Sequence, residues 1–162
     1  MRPIVSYVSS PTYRLAKYLD IWVKNRVNFI SPHTIKNSVG LVNNIKNEKP
    51  TVGSSLVSFD VVGLFPHIPK APTLQFLGEL LTNANIPHDE IAEFFDLINL
   101  CWTPNFCKFK DRFYEFPDEV GIPIGSPLGS LISEIFMFKF EKALFSSPHL
   151  LMTRHLLVQV CR

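Results

Sequence analysis

Residues Val57–Pro69, VSFDVVGLFPHIP, set one carboxylate, Asp60, into an otherwise apolar run. Val57 and Phe59 alternate with Ser58, which is the period of a strand, and Asp60 stands where that strand ends. A lone acid beside Phe59, Val61 and Val62 is costly to bury unless a cation or hydrogen-bond donors receive it. A hard divalent cation such as Mg²⁺ takes oxygen ligands of this kind. The competing role, commoner for an Asp at a strand end, is to cap the next helical turn. Phe65 follows five residues later, and in a chain with 14 Phe it reads equally well as core.

A second segment, Gly121–Met137, reads GIPIGSPLGSLISEIFM: a Gly/Pro-punctuated loop running into an apolar helix. By itself this is a Pro/Gly turn with an N-capping Ser. Between and before these segments the pattern is mostly helical. Thr12 to about Val27 forms an amphipathic helix with Leu15, Tyr18, Leu19, Trp22 and Val23 on its apolar face. Ser31-Pro32 opens a second helix whose buried stripe is Ile35, Val39, Val42 and Ile45. Glu48–Ser55 is a polar connection into the strand around Leu56–Asp60. A short helix then carries Leu74, Phe76, Leu77 and Leu81, and another begins at Pro87-His88-Asp89 with Ile91, Phe94, Phe95 and Ile98 inward. Phe106–Phe109 and Phe113–Phe116 are hairpin arms joined through Lys110-Asp111-Arg112, and Ser130 to about Phe145 is the last helix. The order of elements predicts an α+β fold and disfavours a doubly wound parallel sheet.

The chain of 162 residues, 46% hydrophobic, suits one compact domain or a piece of a larger one and argues against disorder. Its net charge of +2 does not announce a nucleic-acid binder, so a basic surface has to be local. Arg2, Arg14, Lys17, Lys24 and Arg26 give the first segment such a bias, which an ordinary solvated helix face also explains. Three cysteines without a C-x-x-C pair fit neither a disulfide framework nor a zinc site, and a reducing compartment follows. No signal peptide is expected at MRPIVSYVSS and no apolar run reaches membrane-spanning length, so no membrane partner is expected. A phosphate-binding G-x-x-x-x-G-K-[ST] and a G-x-S-x-G nucleophile elbow are both absent, which removes the corresponding nucleotidase and hydrolase readings.

Taken together, the two segments resemble motifs A and B of a reverse transcriptase palm. They are most similar to the Penelope-like retroelements, whose motif A reads much like SFDVVSLFTNIP and whose motif B resembles GxPxGSPLSPxxAxIFM. The opening RPIVSYVSSPTYRLAKYL is similar to that family's RPIVSxxxSPTYxLAKxL block, and Thr34–Ser38, TIKNS, to its spacer. The resemblance runs in order over about residues 2–145. It implies a partial polymerase palm, a small antiparallel sheet packed with helices, with a piece of the fingers. The fingers side would cover about 1–55, the palm about 56–145, and 146–162 would be a divergent or truncated tail. It also implies RNA-directed DNA polymerase activity in an intracellular setting, nucleus or cytoplasm, with RNA template, DNA primer and dNTPs as partners. Two Mg²⁺ ions about 4 Å apart would stabilise the attacking 3′ oxygen and the leaving pyrophosphate.

Residue by residue, the resemblance makes Asp60 the catalytic metal-bridging acid and gives the Val61 carbonyl to a metal. Phe65 becomes the ring beneath the incoming sugar, excluding a 2′-hydroxyl. Gly121, Pro123, Gly125, Ser126 and Pro127 line the nascent base pair, with glycines where backbone must approach closely. Arg2 would grip the triphosphate by bidentate hydrogen bonds. The chain departs from the pattern at Gly63 for Ser, Pro66-His67 for Thr-Asn, Gly129 for Ser or Pro, and Phe116-Pro117 where a Gln commonly follows the aromatic. More consequentially, no Asp follows Asp118, so the Tyr-x-Asp-Asp of motif C has no counterpart in these residues. The expectation is therefore a reverse transcriptase fragment inactive alone, with a non-catalytic nucleic-acid-binding remnant as the alternative.

Overall fold

The computed structural model describes residues 7–30, 34–49, 52–53, 60–102, 106–115, 121–122, 124–146 and 159–160. They divide into two units, one from 1–29 and 63–139, the other from 30–62 and 140–162. Arg2, Leu56–Phe59 of the expected strand, Phe116 and Pro123 lie outside the described residues.

The first unit is mainly helical: α1 (Tyr13–Arg26), α3 (Leu64–His67), α4 (Lys70–Asn83), α5 (His88–Trp102) and most of α6 (Pro127–Phe145), with a hairpin of β2 (Phe106–Phe109) and β3 (Arg112–Glu115). Its core forms where the apolar stripes meet. Ala16, Leu19 and Val23 of α1 join Phe76, Leu77 and Leu81 of α4, Phe94 and Ile98 of α5, and Leu128, Leu131, Ile132 and Ile135 of α6. Each fully buried Leu or Ile contributes roughly 1.5–3 kcal/mol. Trp22 stacks on Phe94 with centroids 4.9 Å apart, fixing α1 against α5.

Polar clips reinforce this packing. Lys24 Nζ lies 2.9 Å from Asp20 and 3.5 Å from Glu134 on α6. Burial lowers the Lys24 pKa, but the hydrogen bond to Asp20 and the charge of Glu134 outweigh it, and the net shift is upward. Lys139 Nζ donates to Pro72 O at 3.0 Å and lies over the Phe76 ring.

In the second unit, β1 (Thr34–Ile35) pairs in parallel with β4 (Gln159–Val160), Thr34 opposite Gln159. Helix α2 (Ser38–Ile45) corrects the expected second helix. It starts at an Asn37 cap, whose side chain takes the Gly40 N–H at 2.9 Å. Of the expected stripe only Ile35 is buried; Val39, Val42 and Ile45 are exposed. An eight-residue helix hydrogen-bonded at its own cap forms without burying an apolar face.

Two further boundaries move for local reasons. The hairpin is closed by Lys110-Asp111 alone, at φ 48° and 61°, so Arg112 already belongs to β3. Two successive left-handed residues make the tight type I′ connection that matches strand twist. Helix α6 begins at Pro127 rather than Ser130, because a proline suits a first helical position. The fold is α+β as expected, and among the described residues no helix is long and apolar enough to cross a membrane.

Candidate functional site

The tail of the first quoted segment folds as a tight turn. Gly63, at φ 66°, precedes α3 in a left-handed conformation that Ser would adopt only with strain. His67, one turn on, donates its Nδ1–H to the Gly63 carbonyl at 2.7 Å. Two departures from the family string thus belong to one local structure.

That turn is clasped to the second segment. Ile122 N–H donates to Phe65 O at 2.8 Å. Gly121, at φ 76°, passes so close that a Cβ there would lie 2.5 Å from Pro66 O. A Cβ on Gly129, on the first turn of α6, would sit 3.3 Å from Phe65 Cε1, so the absence of a side chain makes room for the ring. Phe65 is half-buried against this glycine face, while Ile122 and Leu128 continue into the core.

Behind the clasp the chain turns into α6. Gly125 is exposed at φ 107°, Ser126 is buried, and Pro127 is half-buried as the first helical residue. Ser126 O accepts from Gly129 N–H at 2.9 Å, which tightens the first turn. The loop is therefore held at both ends, by Phe65 on one side and by the buried helix on the other.

Asp60 and Val61 are exposed and belong to the second unit, whereas Phe65 and Gly121–Pro127 belong to the first. The structure thus brings Phe65 together with Gly121 and the start of α6, and it gives Asp60 no buried cation or helix amide as partner among the described residues. No group of three His, Cys, Asp or Glu side chains gathers among those residues to hold a metal. One carboxylate and one main-chain carbonyl fall well short of the roughly six oxygens that Mg²⁺ requires. The described residues therefore do not fit a two-magnesium centre.

Pro66, Ile122 and Gly129 carry the clasp and were not singled out as site residues from the sequence. The only sequence signal for them is a glycine on each side of the Ile122–Leu128 stretch, and a glycine does not name the group that approaches it. Comparison with protein-family models, with curated proteins and with solved structures finds no match to this chain.

Proposed function

We propose that the chain is a piece of a reverse transcriptase palm, ancestrally an RNA-directed DNA polymerase, and that these 162 residues are inactive alone. The clasp supports the reading: Phe65 O bound to Ile122 N–H at 2.8 Å joins the end of motif A to the start of motif B. The resemblance asks both segments to serve one nucleotide, Phe65 beneath the sugar and Gly121–Pro127 along the base pair. Rigid backbone at Gly121 and at the first turn of α6 would orient the strand, since placement is most of what nucleotidyl transfer asks of protein. Chemistry is a different matter. With Asp60 as the only family carboxylate present, charge stabilisation in the transition state falls by orders of magnitude in rate.

Incubation of the purified protein with primer, RNA template, Mg²⁺ and dNTPs tests this. The expected result is no extension, with Asp60→Asn indistinguishable from the parent chain. Processive extension abolished by Asp60→Asn would overturn the inactivity.

A second reading, a non-catalytic nucleic-acid-binding remnant, draws support from exposed Arg14, Lys17 and Arg26 on α1. Binding would weaken with salt by roughly 0.7–0.9 log units per neutralised phosphate for each tenfold rise. Absence of binding at low salt would remove it.

A further inference from the structure

The β2–β3 hairpin exposes aromatic rings that a core-building sequence would hide: Phe109 is 60% and Tyr114 48% exposed. Its register pairs Phe109 with Arg112 and Cys107 with Tyr114, so Phe109, Arg112 and Tyr114 share one face. Lys110, at the tip, carries its Nζ 5.5 Å from the Phe109 centroid. Lys108 is engaged with Asp111 at 2.8 Å, which leaves Lys110 and Arg112 as the cations flanking the rings. Diagonal neighbours on such a face are roughly 7–8 Å apart.

Open strand edges are often guarded by Lys and Arg, which block pairing with another sheet. Guarding needs only charge. Exposed Phe and Tyr on a guarded edge are a liability unless something covers them. Rings with cations on both sides are the surface that suits unpaired nucleotides, whose bases offer apolar faces and whose backbone is anionic.

We infer that this face, Phe109, Arg112 and Tyr114 with Lys110, binds single-stranded nucleic acid. The rings stack on unpaired bases while Lys110 and Arg112 meet the phosphates. A duplex keeps its base faces stacked internally and offers this surface only charge, so strands are preferred to duplexes. The inference rests on the hairpin and deepens the nucleic-acid-binding reading, and the ring substitutions below test it apart from the basic face of α1.

Fluorescence anisotropy with the whole chain and a labelled oligouridylate of about 15 nucleotides, against a duplex of equal length, tests it. The single strand is expected to bind more tightly. F109A/Y114A should weaken strand binding at least about fivefold with little change in salt slope, since stacking is lost and charge is kept. K110Q/R112Q should flatten the salt slope by roughly 0.7 for each charge removed. All four side chains are exposed, so circular dichroism and melting should match the parent. No binding at low salt, a preference for duplex, or parental affinity in F109A/Y114A would each overturn the inference.

Discussion

Replacing Gly121 by Ala tests the clasp most directly. An L-residue at φ 76° costs roughly 1–2 kcal/mol before any contact is considered. The new methyl would also lie 2.5 Å from Pro66 O and 2.6 Å from Pro66 C and Cα, all main-chain atoms that cannot rotate away. Relief requires the turn to move back, and that movement strains the Ile122-to-Phe65 hydrogen bond, worth about 0.5–1.5 kcal/mol. Overpacking adds about 1–3 kcal/mol, and the smaller unfolded-state entropy of Ala returns about 0.4–1. The net loss is about 1.5–6 kcal/mol, a large share of the roughly 5–15 kcal/mol that holds a domain together. Both tryptophans of the chain, Trp22 and Trp102, belong to the first unit, so urea unfolding followed by their fluorescence reports that unit. The midpoint should fall by about 1 M or more with the slope unchanged. Gly129→Ala is the control: it faces a side-chain ring at 3.3 Å that can yield, and it gains about 0.5–1 kcal/mol of helix preference. Its stability should stay within about 1 kcal/mol of the parent. A Gly121→Ala loss below about 1 kcal/mol, or an equal loss in both variants, would refute the close backbone approach.

Other consequences are simpler to measure. Burial raises the Cys101 thiol pKa above its ordinary value of 9.0, so the unfolded chain ionises first. The stability this group contributes is complete below that ordinary value and is lost as pH climbs from it toward the folded pKa. Peptide mapping after iodoacetamide at mildly alkaline pH should find Cys101 unmodified in native protein and modified in urea. Leu131→Ala empties a fully buried position in α6 and should cost about 2–5 kcal/mol by the same fluorescence assay. Lys24→Met should change stability by less than about 1 kcal/mol, with the difference shrinking in high salt, since this partly exposed cation trades modest Coulomb energy for packing.

Periodicity carried the helices because their cores are built from repeated spacing, as Leu77 and Leu81 or Phe94 and Ile98 show. It misjudged α2, where Ser31-Pro32 and an apolar spacing outweighed the quieter cap at Asn37. It misjudged the hairpin tip for another reason. Lys110 has no intrinsic taste for a left-handed conformation, so nothing at that position advertises a two-residue turn. The site was legible in residue type and not in neighbours. Gly121 reads as a place of close approach, yet only the folded chain names Pro66 as the group approaching. Gly63 and His67 look like two unrelated departures in the string, and the structure makes them acceptor and donor of one hydrogen bond. For Asp60, the choice between cap and ligand depends on atoms far along the chain, which spacing does not encode.

The tip of the hairpin has a consequence for motion. Lys110 occupies a conformation that Asn or Gly would hold more cheaply by roughly 1 kcal/mol, and the strands beside it run only four residues each. Such an arm opens locally at little cost while the buried helices stay shut. Its amide hydrogens should trade with solvent deuterium well ahead of those in the middle of α6, so the arm can open and reclose without the domain itself letting go.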